Sequence, residues 1–301
     1  MTTLADVTPV LLTFNEEPNL QRALNSLSWA TSIVIVDSGS TDASEAIARA
    51  YAPVRWVVRP FDTHARQWTF AIHETGIETP YVLALDADYA LTPAFTEELG
   101  RAVNEGFAGA VAGFEYRIDG SPLSGSVYPA KLVVFRRDAV RISQPGHSQE
   151  FAVDGPIYQF HSRLVHDDRK PLERFVASQL QYSRLELARL KRNPADRWQD
   201  RIRASGWMPI VAGIGAYLRS GGPFRGRASL RYAYERAMFE CLLALRVLSS
   251  RTEDDSRASR EANHATDRPL AGGRVHSRAE PSSDLHTPSI RRSDASSSPY
   301  K

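Results

Sequence analysis

Between Thr8 and Leu85 the chain alternates short apolar runs with stretches of helical spacing, and that alternation narrows what it can become. Pro9-Val10-Leu11-Leu12-Thr13 ends at Asn15-Glu16-Glu17-Pro18. Pro18 suits a first helical turn, and Leu20, Ala23, Leu24 and Leu27 follow at helical spacing. Ile33-Val34-Ile35-Val36 reads as a second strand that closes at Asp37-Ser38-Gly39-Ser40-Thr41-Asp42. This polar cluster can cap a helix with Ala46, Ile47 and Ala50 on its inner face. Val54–Val58 is a third strand, a helix runs from about Thr63 to Thr75, and Tyr81–Leu85 is a fourth strand. Strands alternating with helices predict βαβ units and a mostly parallel sheet.

Ligands of such sheets bind beyond the carboxyl ends of the strands. Those ends carry Asn15-Glu16, Asp37-Ser38, Arg59 and Asp86-Ala87-Asp88. An ionised carboxylate is costly to desolvate unless something pairs with it. A divalent cation bridging to a diphosphate is such a partner, because hard cations prefer carboxylate and phosphate oxygens. Taken alone, Asp86-Ala87-Asp88 also fits a solvated strand-to-helix turn; the convergence of polar ends on one edge favours a binding site.

Further along, Pro93–Glu105 reads as a helix, and 110–118 and 131–135 as strands flanking a Gly/Ser/Pro loop at 119–129. Pro171–Arg192 is a helix, Asp196 to about Ile202 opens another, and Arg231–Leu248 is amphipathic, with Tyr234, Ala237, Met238, Cys241 and Leu245 on one side. From Ser249 onward large apolar residues almost vanish, which predicts disorder. The chain thus divides into an α/β domain over 1–168, a helical region over 169–249 and a disordered tail over 250–301. A net charge of +2 gives no case for a nucleic-acid partner. The single cysteine excludes an intrachain disulfide and suits a reducing compartment. The N-terminus has no signal-peptide pattern, and no apolar run reaches the length of a spanning helix.

TPVLLTFNEEPNLQRALNSL, SIVIVDSGSTDASEAIA and YVLALDAD together resemble family 2 of the glycosyltransferases, nearest the bacterial lipopolysaccharide-core β-glucosyltransferase type. The resemblance is strong over 8–100 and traceable to about 248; YPAKLVVFRRD and the GHSQEF to HDDRKPLERF stretch carry its later part. It implies a GT-A nucleotide-diphospho-sugar transferase fold, with a mostly parallel central sheet flanked by helices. It further implies that Thr13, Phe14, Asn15 and Glu16 contact the base and ribose of a nucleotide-diphospho-sugar, with Asp37 and Ser38 at the base. Arg59, Arg66 and Gln67 fall near base and diphosphate, Asp86 and Ala87 near the ribose, and Asp88 at a metal, Mg²⁺ or Mn²⁺. Asp37 equally suits a turn before Gly39, and Arg66 a solvated helix position. Relatives often read Asp-Ala-Asp-Glu, where this chain has Tyr89 at the last position.

An inverting enzyme of this kind needs a carboxylate as general base on the acceptor hydroxyl. The candidates are Glu150, Asp167 and Asp168. Relatives tend to have a His-Glu pair near His147, where this chain has Ser148. His166 is a candidate further metal ligand, with a satisfied surface histidine as the plainer alternative. Arg169-Lys170 suits a diphosphate, an acceptor phosphate or a solvated charge run. Arg residues interleaved with aromatics (Trp198, Arg201, Arg203, Trp207, Tyr217, Arg219, Arg225, Arg227) suit either a membrane surface or a helical bundle. The expected activity is metal-dependent, inverting transfer from a UDP-linked donor to a saccharide or lipid-linked acceptor in envelope polysaccharide synthesis. The expected location is the cytoplasm, with peripheral contact at the cytoplasmic face of the inner membrane. A sugar-phosphate nucleotidyltransferase and a non-catalytic nucleotide-sugar-binding protein are the alternatives. The acidic Thr13–Glu17 loop speaks against the first, and the intact Asp86/Asp88 pair against the second.

Overall fold

A computed structural model of the chain describes residues 2–144, 149–192 and 198–266. After a 3-10 turn at Leu4–Asp6, the alternation forms β1 (Val7–Thr13), α1 (Glu17–Asn25), β2 (Ile33–Asp37), α2 (Ser44–Arg49), β3 (Val54–Val58), α3 (His64–His73) and β4 (Tyr81–Asp86). These strands pair in parallel, with Thr13 beside Asp37, Asp37 beside Val58 and Leu12 beside Asp86. Their carboxyl ends therefore finish level on one edge.

The chain continues through β5 (Tyr89–Ala90), α4 (Pro93–Glu105), β6 (Gly109–Ala112), β7 (Phe114–Ile118), β8 (Ser121–Pro122), β9 (Lys131–Arg136), β10 (Arg141–Ser143), β11 (Glu150–Ala152), β12 (Ile157–Gln159) and β13 (Leu164–His166). The large sheet has the order β12-β6-β9-β4-β1-β2-β3, with β9 antiparallel to both its neighbours. A smaller sheet has the order β5-β13-β7-β8. Residues 110–118, expected as one strand, break at Gly113: β6 stays in the large sheet and β7 joins the small one. That break matters for the site, because the small sheet sets His166 of β13 opposite Tyr89, the residue after Asp88.

Period-two alternation sends Leu11, Ile35, Leu83 and Leu85 to one face of the large sheet, against Leu20, Leu24, Phe95 and Leu99. Val10, Val34, Val36 and Val82 line the other face against Trp68 and Ile72 of α3. Both faces are covered, which is why the strands read as unbroken apolar runs. On α2 the buried residues are Ser44 and Ala48, whereas Ala46 and Ala50, expected inside, are exposed. This is the GT-A arrangement that the resemblance implies.

Among the described residues every regular element after His166 is a helix: α5 (Leu172–Arg192), α6 (Trp198–Ser205), α7 (Met208–Arg219), a 3-10 turn at Gly222–Arg225, and α8 (Gly226–Thr266). A buried ion network joins α5, α6 and α8. Arg189 lies 2.7 Å from Asp200, and Arg203 lies 3.0 Å from Glu186 and 2.6 Å from Glu240. Arg203 is thus an internal cross-link and not part of a membrane-facing surface. The apolar side of α8 that carries Tyr234 and Leu245 is an exposed one. Tyr234 and Leu245 are 67% and 62% exposed, while Tyr232 and Leu243 are the buried side. Contacts gather the described residues up to Asp254 into one compact unit, and those from Asp255 onward fall outside it. Helix α8 continues past Ser249 to Thr266, and positions 267–301 of the expected disordered tail lie outside the described residues.

Candidate active site

β4 delivers Asp86 to the polar edge, Ala87 packs into the core, and Asp88 follows at the turn into β5. The Asp88 Oδ2 stands 3.1 Å from the His166 Nε2. Both side chains are nearly buried, 13% and 9% exposed. Their remaining polar atoms, Asp88 Oδ1 and His166 Nδ1, are buried with no hydrogen-bond partner among the described residues. Burial alone would push the Asp88 carboxyl up; the His166 ring, with Lys170 and Lys131 beyond it, overrides this and holds it well below the usual carboxylate range. His166 is no surface histidine. Its ring is packed by Tyr116, Tyr128 and Tyr89, at centroid distances of 4.4, 4.7 and 5.1 Å.

A carboxylate and an imidazole suit a divalent cation, and the unpartnered Asp88 oxygen is an acceptor that such a cation could use. No group of three or more His, Cys, Asp or Glu gathers among the described residues. Asp88 and His166 are the two groups that would hold a cation here.

Beside this pair stands Lys131, the first residue of β9. Its Nζ donates to the Tyr128 and Tyr89 hydroxyls at 2.6 and 3.0 Å and lies 3.8 Å from Asp86 Oδ2. Tyr89 thus takes up the position of the missing acid by bonding a cation instead. Burial, with Asp86 next, pushes the Tyr89 and Tyr128 phenols up, so they stay neutral.

A second polar group lies where α1 meets the chain after β13. Asn19 is buried and donates to Glu16 at 2.9 Å and to Asp168 at 2.8 Å, while accepting from the Arg169 N–H at 2.9 Å. Lys170 Nζ bridges Glu16 and Asp168 at 2.9 and 3.3 Å. Burial pushes the Glu16 carboxyl up to about 7 against the pull of Lys170. The fields of Glu16, Asp88 and Asp168 outweigh burial at Lys170 and keep it protonated.

Of the candidate bases, Asp167 is the most buried. It is 3% exposed, with Oδ1 taken by the Gly120 N–H at 3.0 Å and Oδ2 by Arg169 Nε at 2.9 Å. It fixes the loop at Gly120. Asp168 keeps 27% of its side chain exposed. Glu150 is exposed at the start of β11, in the β10–β11 hairpin, which is a sheet of its own and is held to α3 by the Ala65 N–H donating to Gln144 at 3.0 Å. His147 and Ser148 lie outside the described residues.

The nucleotide-side residues separate into contacts and supports. Asp37 is 2% exposed and accepts from Thr13 Oγ1 at 3.0 Å, the Gly39 and Ser40 N–H groups at 2.9 and 2.7 Å, and Ser40 Oγ at 2.5 Å. Both its oxygens are committed to the turn. Gln67 is fully buried and ties Ser38 to Arg59, donating to Ser38 Oγ at 3.2 Å and to the Arg59 carbonyl at 3.1 Å. Arg59 forks onto Asp62 at 3.0 Å through both terminal nitrogens. Arg66 is 75% exposed beside Asp62, the solvated position. Phe14 is 51% exposed, and Asn15 adopts a left-handed φ of 55° steadied by its Oδ1 accepting from the Thr41 N–H at 2.7 Å. Arg174 of α5 holds this loop by donating to the Phe14 and Asn15 carbonyls.

Lys131, Tyr128, Asn19 and Arg174 are the site residues that sequence reasoning misses. Lys131, a lone charge at the mouth of the apolar run Leu132–Phe135, is the one with a local signal.

The profile of the family described as Glycosyl transferase family 2 matches residues 10–162, about half of the chain. Among curated proteins, the chain is 36% identical over 93 residues to the lipopolysaccharide core biosynthesis glycosyltransferase LpsC of Rhizobium meliloti (strain 1021), covering 30% of this chain and 34% of that protein. It is 32% identical over 94 residues to an uncharacterized glycosyltransferase of Rickettsia bellii (strain RML369-C), covering 31% of each. The matches thus span about a third of the length of these relatives. Among solved structures, S. aureus TarS 1–349 in complex with UDP-GlcNAc is 13% identical, covers 82% of this chain and 92% of its own, and gives a TM-score of 0.44. Glucosyl-3-phosphoglycerate synthase from Mycobacterium tuberculosis, in complex with Mn²⁺, UDP and phosphoglyceric acid, is 18% identical, covers 61% and 78%, and gives 0.41.

Proposed function

The chain belongs to glycosyl transferase family 2, and we propose that it is an inverting, metal-dependent enzyme moving a sugar from a UDP-linked donor to a saccharide or lipid-linked acceptor of the cell envelope. The observation that carries this reading is the buried Asp88–His166 pair with an unpartnered carboxylate oxygen, at the edge where the parallel strands end.

Asp88 and His166 would hold the cation. Bound there, Mg²⁺ or Mn²⁺ supplies Lewis-acid neutralisation of the charge that grows on the departing nucleoside diphosphate. Lys131 adds a fixed positive charge at the same edge, oriented by Tyr89 and Tyr128. The exposed Phe14 offers a ring for the base, on a loop made rigid by Arg174 and Asp37. Asp37 and Gln67 act here as positioning residues. The acceptor proton is assigned to Asp168, which keeps 27% of its side chain exposed while Oδ1 accepts from Asn19 and the Lys170 N–H and Oδ2 from the Lys170 ammonium.

For the acceptor side, α7 presents Trp207, Ile210, Ile214 and Leu218 on one helical face, from 54% to 68% exposed, and Phe224 just beyond at 93%. Positions 201–234 contain no Asp or Glu, and Arg201, Arg219, Arg225 and Arg227 are exposed. Apolar side chains ringed by unopposed arginines suit an anionic lipid surface, which supports peripheral contact with the cytoplasmic face of the inner membrane. No helix among the described residues is long and apolar enough to cross a membrane.

The test is UDP release from a panel of UDP-sugars, with lipopolysaccharide-core oligosaccharide as acceptor and Mn²⁺ present. Turnover with one donor, an inverted anomeric centre in the product, and loss of at least about a hundredfold in Asp88→Ala are expected. UDP binding without release from any donor would favour the non-catalytic alternative.

A further inference from the structure

We infer that the protein carries a subsite for an anionic group, a phosphate or a carboxylate, on its acceptor saccharide. The inference rests on the transferase reading and adds the chemical class of the acceptor. A cavity of about 380 Å³ opens between the small sheet and the end of α7. Arg163 and Arg219 line it together with Ser124, Ser126, Phe114 and Tyr128, and none of its lining residues is acidic.

Arg163, at the start of the segment leading into β13, has no hydrogen bond or ion pair among the described residues. A guanidinium left without a carboxylate in a concave site is a ready partner for a phosphate or carboxylate, which it can grip through two parallel hydrogen bonds. Arg219 uses only its Nε, which donates to the Ser126 carbonyl at 2.6 Å, so its terminal nitrogens remain available. The loop between them is fixed: the Ser124 N–H donates to the Ser220 carbonyl at 3.0 Å, and the Val127 N–H to the Tyr232 hydroxyl at 2.9 Å. At Gly125 the loop passes close to the end of α7, where a Cβ would stand 3.0 Å from the Arg219 carbonyl oxygen. The site is therefore built into the fold.

Its position points to the acceptor. Tyr128 and Phe114 line the cavity and also pack against the His166 ring, with centroids at 4.7 and 6.3 Å. An anion held by Arg163 and Arg219 would anchor a saccharide beside the donor end of the site, on the opposite flank from the nucleotide loops.

Calorimetric titration of the full chain with glucose 6-phosphate, glucuronate, glucose and phosphatidylglycerol vesicles tests this. At least one of the two anionic sugars is expected to bind and glucose is not. Arg163→Gln, which breaks no contact of the fold, is expected to weaken that binding about tenfold; combined with Arg219→Gln it removes it. Unchanged anion affinity in Arg163→Gln, or equal binding of glucose, would overturn the proposal. A response to the vesicles alone would overturn it too, by giving the arginines to lipid headgroups. UDP and Mn²⁺ binding, read on the same samples, keeps the two readings apart: intact UDP binding with no anion effect refutes the subsite alone, and anion binding without UDP binding refutes the transferase reading.

Discussion

Asp37 receives four hydrogen bonds from Thr13, Gly39 and Ser40, which leaves neither oxygen without a partner. Its sequence context admits both a base contact and a turn, and the three-dimensional positions of Thr13 and Ser40 show that the turn is made. Asp167 is the same case: HDD reads as a pair of available carboxylates until the Gly120 amide and Arg169 are seen to occupy one of them. Glu98 of α4 shows what such pairing does for stability. Burial pushes its carboxyl up, but the His161 and Ser162 N–H groups, at 2.9 and 2.8 Å, more than offset this and bring it down to about 2. A carboxyl lowered in the folded state contributes stability above its unfolded pKa and loses it as pH falls through the folded one. Urea unfolding at pH 7 should therefore show Glu98→Gln less stable by about 1–3 kcal/mol, with the gap from wild type closing as pH drops from about 4.5 toward 2. A gap that does not change with pH would contradict the assignment.

At the scale of elements, the first half of the chain is legible because each βα unit carries its own signal: an apolar run, a capping cluster, then helical spacing. Helix α4 is bounded as its sequence reads, from Pro93 to Glu105, with Thr92 Oγ1 accepting from the Phe95 N–H at 3.1 Å. The short strands β10 to β13 have no such signal, since three residues in a strand set no periodicity and pairing across distant segments creates them. Helix α7 is hidden for another reason. An apolar run from Trp207 to Leu218 predicts burial, yet only its Gly213–Ala216 side packs inward, against Ala237 of α8 and the small sheet. The buried ions of α5, α6 and α8 are likewise invisible to patterning, which assigns charge to the surface. Asp200 has a fully buried side chain between Arg189 and Arg203. Asp200→Ala should cost about 3–5 kcal/mol, because it leaves two buried guanidinium groups short of a partner. Thermal unfolding measures it, and a change under about 1 kcal/mol would show the network to be dispensable.

Over the whole molecule, one polar edge gathers residues from β1, β2, β3, β4, β9, β13 and α5. Those supplied by the parallel strands are readable, because the rule that places sites at carboxyl ends is local. His166 meets Asp88 only through the small sheet, and Lys131 arrives on an antiparallel strand, so neither position follows from the spacing of the motifs. The exposed face of α7 belongs to this scale as well. Sedimentation with phosphatidylglycerol vesicles should carry down the wild-type protein, and Ile214→Asp with Leu218→Asp should leave it in the supernatant with its unfolding temperature unchanged. Equal sedimentation of both proteins would place the membrane contact elsewhere or remove it. The proposed chemistry requires Asp88 and His166 to hold a cation that joins the protein to a nucleoside diphosphate. Calorimetric titration of UDP with and without Mn²⁺, in the wild type and in Asp88→Ala, tests that most directly. We expect Mn²⁺ to tighten UDP binding at least about tenfold, or 1.4 kcal/mol, in the wild type and to have no effect in Asp88→Ala. UDP affinity that ignores Mn²⁺ in the wild type, or a Mn²⁺ effect that survives in Asp88→Ala, would contradict it.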